Sequence, residues 1–257
     1  MTVWIGTSGW QYDDWRARFY PRQAPLRRWL EEYAARFAVV ESNNAFYRLP
    51  ERRTFLDWAE RTPDDFLLTV KVSRYLTHIR RLRDPHEAVE RFLGRVDGLG
   101  RKLGPVLLQL PPQLRCDAER LDRALGEFPR AMRVAVEFRH DSWYTTEIRD
   151  LLEQHRAALC LADRQGPLTP IWRTADWTYL RMHEGRARPR PSYGPTALKS
   201  WAERLADRWQ PDEDCFVFFN NDHRACAPRD AARFATLCRR AGLRPSRTPP
   251  TRAIPAG

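Results

Sequence analysis

The sequence lacks the cysteine pattern of a disulfide-linked or zinc-binding protein. Its five cysteines are odd in number, widely spaced and contain no Cys-x-x-Cys pair. This pattern argues against a disulfide framework and a thiolate zinc site, and it is typical of a reducing compartment. The chain also has no apolar run long enough to cross a bilayer. No basic segment with an adjoining apolar stretch precedes the first strand-like segment, so we expect a cytoplasmic protein without a secretory signal.

The sequence also lacks the known nucleotide-binding fingerprints, and its acidic residues are outnumbered by its basic ones. Gly6 and Gly9, after the first predicted strand, have the spacing of neither a P-loop nor a dinucleotide-binding fingerprint. The 33 Asp and Glu residues against 44 Lys and Arg residues give a formal net charge of +11. This excess favours anionic partners. Residues 244–257 contain three arginines, four prolines and no acid, and are predicted to form a disordered tail.

Eight β-rich segments alternate with amphipathic helical segments along the chain, as in a parallel sheet with crossover helices. The predicted strands are 3–7, 38–43, 66–71, 105–110, 133–138, 157–161, 178–182 and 215–219. The predicted helices are 26–37, 52–61, 85–99, 118–128, 146–154, 196–209 and 228–241. This α/β pattern favours a single (β/α)8 TIM-type barrel over residues 1–243. We expect irregularity in the sixth unit, where Pro167 and Pro170 leave little room for a helix.

Period-two alternation places polar side chains at the ends of most predicted strands, on the faces that begin with small or apolar residues. These side chains are Glu41 and Asn43, Lys71, Gln109, Glu137 and Arg139, and Arg181 and His183, with Asp163, Asn220 and Asn221 after two further strands. In a parallel barrel the carboxyl ends of all strands surround one mouth, which holds the functional site. One alternative is that these residues are polar only because strand ends adjoin solvated surface loops. A functional site at the mouth explains better why most strands show the pattern.

Five residues are candidate catalytic groups: Glu41, Lys71, Glu137, Asp163 and His183. In one interpretation Glu41 and Glu137 act as general acid and base, while Lys71 and Arg181 stabilise developing negative charge. In the other, Glu137 forms a structural ion pair with Arg139, because buried charges need partners. The sequence leaves both interpretations open.

Candidate substrate-binding residues surround these groups: Trp10, Asn43, Tyr47, His78, Gln109, Arg139, Arg181, Asn220 and Asn221. Two loops after the third and seventh strands are rich in arginine: Arg74, Arg80, Arg81 and Arg83, then Arg186, Arg188 and Arg190. Guanidinium groups bind phosphate and carboxylate with two parallel hydrogen bonds. The predicted partner is therefore an anionic small molecule or a nucleic acid. The aromatic residues near Trp10 either wall the mouth or pack the first loop on the barrel.

A divalent metal centre is not favoured, and the sequence identifies no cofactor. Glu41, Glu137, Asp163 and His183 are suitable ligands for magnesium or manganese. However, His183 is the one histidine clearly placed at a strand end, whereas metal-dependent barrels use several histidines there. We therefore predict no metal-ligand set.

A series of unusual motifs runs through residues 3–241. They include Ile5-Gly6-Thr7-Ser8-Gly9-Trp10, Val40-Glu41-Ser42-Asn43, Leu108-Gln109-Leu110-Pro111-Pro112, Val136-Glu137-Phe138-Arg139-His140, Arg181-Met182-His183 and Phe219-Asn220-Asn221-Asp222. This series resembles the YecE-like family, also called domain of unknown function 72. The resemblance implies a TIM-type barrel and little about activity, because the family's biochemical role is largely unassigned. The chain departs from the family pattern at Glu184, Ala225 and Cys226, all in mouth loops.

We expect an enzyme that acts on a phosphate-containing or nucleic-acid substrate at the barrel mouth, by hydrolytic or acid–base chemistry. One alternative is a non-catalytic nucleic-acid-binding protein that uses the arginines of the loops and tail. Another is a carbohydrate-active barrel, for which a carboxylate pair and abundant tryptophans are suitable.

Overall fold

The computed structural model describes residues 1–164 and 169–254. Its strands are β1 (Thr2–Thr7), β2 (Val39–Ser42), β3 (Leu67–Lys71), β4 (Leu103–Gln109), β5 (Val134–Glu137), β6 (Ala158–Asp163), β7 (Trp177–Met182), β8 (Asp214–Phe219) and β9 (Arg244–Pro245). They form one parallel sheet in the order β2-β3-β4-β5-β6-β7-β8-β1-β9. All eight predicted strands are present, so the predicted α/β barrel architecture is confirmed.

The sheet curls until β1 meets β2, where a narrow seam replaces a regular ladder. One parallel bridge joins Ser8 to Glu41, and the Gly9 amide donates a hydrogen bond to the Glu41 carbonyl at 2.8 Å. Below it, the Tyr33 hydroxyl accepts from the Thr7 amide at 2.9 Å and donates to the Val39 carbonyl at 3.1 Å. The tyrosine therefore supplies the polar contacts that two directly paired strands would exchange.

The helices alternate with the strands as predicted. They are α1 (Trp29–Ala34), α2 (Asn44–Tyr47), α3 (Arg52–Glu60), α4 (Pro85–Val96), α5 (Ala118–Gly126), α6 (Thr146–Gln154), α7 (Pro195–Arg208) and α8 (Cys226–Arg240). Between β6 and β7 no helix occurs in residues 164 and 169–176, in agreement with the expected irregularity; Pro167 lies outside the described residues. Within the described part of the chain, no helix combines the length and apolar character needed to span a membrane.

The core has two layers that follow the strand alternation. Inside the barrel lies a cluster that includes Val39, Leu107, Ala135, Tyr179 and Phe218. A larger cluster fills the space between the strands and the surrounding helices. Each strand therefore sends alternate side chains inward, as the sequence pattern predicts. The inward residues become polar near the strand carboxyl ends, and this gradient positions the site.

The predicted disordered tail is partly packed on the barrel, which differs from the expectation. Strand β9 pairs with β1, and the Ser246 amide donates to the Val3 carbonyl at 2.8 Å. Arg247 pairs with Asp65 at 2.9 Å, and Ile254 is buried. The composition of this segment does not predict these contacts. They form because the exposed edge of β1 offers backbone hydrogen-bond partners even to a polar segment. Residues 255–257 lie outside the described residues.

Candidate functional site

A cleft of about 420 Å³ opens at the carboxyl ends of the strands. It is lined by three cationic residues, five amides, one acid, three aromatic residues and a glycine: Lys71, Arg139 and Arg181; Gln11, Asn43, Asn44, Gln109 and Asn220; Asp222; Trp10, Tyr12 and Tyr47; and Gly9. Eight of the fourteen predicted catalytic and binding residues line this cleft at the barrel mouth: Trp10, Asn43, Tyr47, Lys71, Gln109, Arg139, Arg181 and Asn220. The cleft therefore lies at the mouth where the sequence predicts a site.

Arg181 lies at the bottom of the cleft on β7 and is almost completely buried. Its Nη2 donates to Glu41 Oε1 at 2.7 Å, and its Nη1 donates to Glu137 Oε2 at 2.8 Å. Both carboxylates are fully buried behind it. A buried guanidinium needs such partners, because an unpaired charge in this position costs several kcal/mol, roughly 3–5 when one partner is removed.

Glu137 is the centre of a second set of contacts. Gln109 Nε2 donates to its Oε2 at 2.8 Å, and Arg139 Nη2 lies 2.6 Å from its Oε1. His183 Nε2 also lies 3.3 Å from Oε1. Burial alone would raise the pKa of Glu137, but Arg181, His183 and Arg139 together lower it well below its ordinary value. Glu137 is therefore a carboxylate at neutral pH.

Glu41, on β2, also accepts hydrogen bonds from buried donors, and both of these donors lie on β7. The Tyr179 hydroxyl donates to Glu41 Oε2 at 2.6 Å, so each oxygen of this carboxylate has a donor. Neither Glu41 nor Glu137 lines the cleft. A general acid or base must reach the proton that it transfers. The geometry therefore favours a structural ion-pair role for both carboxylates. Glu137 pairs with Arg139 as that interpretation states, and both Glu137 and Glu41 also pair with Arg181.

Lys71 ends β3 and reaches the cleft with little exposure. Its Nζ lies 3.8 Å from the centroid of the Phe46 ring. Burial and then the positive charge of Arg181 lower the pKa of Lys71 to about 8, although Glu137 and Glu41 oppose that shift. Within residues 1–164 and 169–254, no carboxylate forms an ion pair with this ammonium group.

His183 lies behind the cationic residues and contacts the Glu137 carboxylate that pairs with them. Asn220 Nδ2 is 3.0 Å from His183 Nδ1, which leaves Nε2 facing Glu137. Burial, followed by Arg181, lowers the pKa of His183. The ring is therefore neutral near pH 7 and orients the Glu137 carboxylate.

The cleft walls are aromatic. Trp10 is buried and packs edge-on against Trp58, with ring centroids 5.2 Å apart. Tyr47 stands at the rim with 72% of its surface exposed. Tyr12 faces the cleft from the loop after β1, where its hydroxyl donates to the Ser8 carbonyl. Of the two interpretations of these aromatic residues, Trp10 combines both, since it packs the first loop and also lines the cleft.

Three predicted site residues lie away from the cleft. Asp163 accepts from Trp201 Nε1 at 2.6 Å and points outward, because Ala158, Cys160 and Ala162 take the inward positions of β6. Asn221 also follows the outward alternation of its strand, and its Nδ2 donates to Pro191 O at 3.0 Å and to Asp230 Oδ2 at 2.8 Å.

His78 is the third of these residues. It lies on the short π-helix Tyr75–Ile79, with its ring packed edge-on against Phe46 at 4.9 Å. Phe46 therefore separates His78 from the Lys71 amine, which contacts the same ring. Burial, then Lys71 and Arg74, lower the pKa of His78 to about 4.

The two arginine-rich loops do not line this cleft. Arg80 pairs with Asp84 at 2.7 Å on the surface. Arg186 borders a separate cavity of about 450 Å³ that also contacts Asp163 and Glu184. The cations that face the cleft come instead from strand ends, where the barrel fixes their direction.

Five of the lining residues were not predicted as site members: Gly9, Gln11, Tyr12, Asn44 and Asp222. Asp222 ends the motif Phe219-Asn220-Asn221-Asp222, so that motif held a signal for it. Burial raises the pKa of the Asp222 carboxyl, and Asp14 adds to the effect. Gln11 and Asn44 carried no periodic signal, because both lie in loops or at a helix start.

No metal centre is formed by the described residues, among which no three His, Cys, Asp or Glu side chains gather with suitable geometry. Of the four ligands considered from the sequence, Asp163 points out of the barrel and Glu41 and Glu137 are engaged by Arg181.

The family model described as "Protein of unknown function DUF72" matches residues 4–253. The UPF0759 protein YunF of Bacillus subtilis (strain 168) is 24% identical in an alignment that covers 86% of this chain and 89% of that protein. A solved DUF72 family protein from Thermotoga maritima has a TM-score of 0.80 and 29% identity, covering 93% of this chain and 100% of that one. Another solved DUF72 family protein, from Enterococcus faecalis, has a TM-score of 0.76 and 19% identity, covering 92% of this chain and 95% of that one.

Proposed function

The chain belongs to the DUF72 family of proteins of unknown function, and we propose that its barrel mouth binds a small anionic molecule. The family match supports the resemblance given by the sequence motifs. The ligand would carry a phosphate or carboxylate group that lies against Lys71, Arg139 and Arg181. The observation that carries this proposal is the convergence of these three cations on one cleft.

The charge of the cluster supports an anionic ligand. Behind the cations stand two carboxylates, Glu41 and Glu137, both engaged by Arg181. Against these two carboxylates, Lys71, Arg139 and Arg181 leave one positive charge in excess. A third carboxyl group, that of Asp222, also lines the cleft, and burial raises its pKa. In addition, Arg139 Nε and Arg181 Nε have no hydrogen-bond partner among the described residues. Unpaired guanidinium donors and an excess positive charge favour an oxyanion.

The size and polarity of the cleft support a small molecule. Its volume of about 420 Å³ lies near the lower end of the range for small-molecule sites. Five amide side chains among the lining residues supply directional hydrogen bonds for the uncharged part of a ligand. Tyr47 and Trp10 offer apolar faces at the rim and wall.

The carbohydrate-active interpretation receives no support from this geometry. Glycoside hydrolysis needs two carboxyl groups on either side of the scissile bond. Here Glu41 and Glu137 are fully buried and share one guanidinium.

Isothermal titration calorimetry with inorganic phosphate, oxalate and glyceraldehyde 3-phosphate tests the proposal. Arg139→Gln should weaken binding at least about tenfold, because a charge-assisted hydrogen bond contributes about 1.5–3 kcal/mol. Arg74→Gln is the matched control, since Arg74 is exposed beside the mouth and does not line the cleft. Binding that is absent for every anion, or equally weakened in both variants, would contradict the proposal.

One observation favours a second candidate, a single-stranded nucleic acid. Tyr47 and Tyr75 are exposed large aromatics on neighbouring segments, which meet where Phe46 packs against His78. Stacking of a base on such a ring is worth about 1–3 kcal/mol. Oligonucleotide binding that falls steeply with salt and is lost on joint replacement of Arg186, Arg188 and Arg190 by Gln, but not in Arg139→Gln, would favour this candidate.

A further inference from the structure

The chain uses arginine almost everywhere that it needs a positive charge. Only three of its 44 Lys and Arg residues are lysines: Lys71, Lys102 and Lys199. Arginine keeps its proton at any physiological pH, whereas lysine can lose it when buried. A lysine in the cleft of such a chain therefore points to a role that arginine cannot fill.

The other two lysines have ordinary structural environments. Lys102 Nζ donates to the carbonyl of Thr62 at 2.6 Å and to that of Ala59, and so satisfies the end of α3. Lys199 is exposed on α7 and pairs with Glu203 at 3.5 Å, one helical turn away.

Lys71 differs from both in its surroundings. The charged and titratable groups that act on it are Glu41 on β2, Glu137 and Arg139 at the end of β5, Arg181 on β7, and His78 beyond Phe46. The two carboxylates are engaged by guanidinium groups, and the amine contacts the Phe46 ring. A lysine becomes nucleophilic when it is desolvated or lies beside other cations, and Lys71 meets both conditions.

We propose that Lys71 forms a Schiff base with the carbonyl group of an anionic ligand in the cleft, an oxo-acid or a phosphorylated aldehyde or ketone. This inference rests on the proposed function, since Arg139 and Arg181 would hold the anionic group of the same ligand. With a pKa of about 8, roughly a tenth of Lys71 is the free amine at pH 7.

The chemistry balances without an oxidant or a metal. The lone pair of the neutral amine attacks the carbonyl carbon, and a C–N bond forms as the carbonyl π bond breaks. Proton transfer from nitrogen to oxygen gives a carbinolamine. Loss of its hydroxyl group with one proton, as water, leaves the imine, which is protonated to an iminium. The reverse reaction with water restores Lys71 and the free carbonyl.

Trapping with sodium cyanoborohydride tests the proposal on the wild-type protein. The protein is incubated with glyoxylate or glyceraldehyde 3-phosphate, and with glycolaldehyde as an uncharged carbonyl. Peptide mass mapping then compares adducts on Lys71, Lys102, Lys199 and the Met1 amine. We expect Lys71 to react at least about tenfold faster than Lys199 with the two anions, and inorganic phosphate to slow that reaction.

Each result bears on the proposal. Lys71→Arg and Lys71→Met should lose the fast adduct, while the Lys71–Lys199 comparison needs no variant. Equal labelling of Lys71 and Lys199 would overturn the inference. Calorimetric binding of phosphate without a Lys71 adduct would overturn the Schiff base and leave the anion site standing. Fast labelling by glycolaldehyde alone, with no anion binding, would instead overturn the anionic ligand.

Discussion

Arg181 Nη2 lies 2.7 Å from Glu41 Oε1 and so joins β7 to β2, two strands that are not neighbours in the sheet. The same guanidinium reaches Glu137 on β5 at 2.8 Å. All three side chains are buried, and they meet directly below the cleft. One cation therefore connects strands from different sides of the barrel, and the shape of the mouth depends on it.

Replacing Glu137 tests this dependence. Glu137→Gln should lower the free energy of unfolding by about 3–5 kcal/mol, because it leaves buried positive charge without its partner. Urea denaturation followed by circular dichroism measures the change. Glu153→Gln is the matched control: that residue pairs with Arg149 at 2.9 Å on the surface of α6, and its loss should cost no more than about 0.5 kcal/mol.

The same variant should lose part of the acid sensitivity of the fold. The pKa of Glu137 is well below 4.5, so its stabilising effect is present above pH 4.5 and is lost as pH falls through the lowered pKa. The stability difference between wild type and Glu137→Gln should therefore shrink as pH falls below 4.5. A difference that stays constant from pH 7 to the acid limit would show that charge is not its cause.

The seam between β1 and β2 depends on Gly6. A Cβ at this position would lie 2.2 Å from the Val39 carbonyl oxygen, which is fixed backbone. Gly6→Ala should therefore destabilise the protein by about 1–3 kcal/mol, as overpacked sites do. Gly94→Ala in α4 meets no atom within 4 Å and should stabilise the helix by about 0.5–1 kcal/mol. Similar melting temperatures for the two variants would contradict the claim that the seam requires a glycine at position 6.

His78 should remain neutral until the solution is acidic. Its pKa of about 4 lies below the ordinary 6.5, because of burial and the charges of Lys71 and Arg74. It therefore favours the fold above pH 6.5, and this contribution declines between pH 6.5 and about 4. His86 is the comparison, since its hydrogen bond with Glu127 raises its pKa above 6.5. Titration of the histidine signals by NMR would contradict this account if both rings titrated together.

Much of the site followed from strand alternation alone. The sequence placed Glu137 with Arg139 and Arg181 with His183 on shared faces, and the structure brings all four together at the mouth. Period two suffices here because a barrel strand has one interior face and a fixed carboxyl end. The fold class followed from the same regularity.

Alternation also explains two residues that the sequence misplaced. Asp163 is the last residue of β6 and Asn221 comes two residues after β8. Both lie on the outward side, where they contact Trp201 and Asp230. The row of small residues Ala158, Cys160 and Ala162 marks the inward face of β6 and could have excluded Asp163. Loop residues could not be placed in this way, since no period fixes their direction. The arginine-rich loops were predicted at the mouth, but none of their arginines lines the cleft.

The anion-binding cleft is tested most directly by a crystal structure of the protein soaked with selenate, an oxyanion with an anomalous signal. We expect an anomalous peak within hydrogen-bonding distance of Arg139 and Arg181, beside Lys71. We also expect Arg139→Gln crystals to lose this peak. Selenate bound only at the loop arginines Arg186, Arg188 and Arg190, with none in the cleft, would contradict the account.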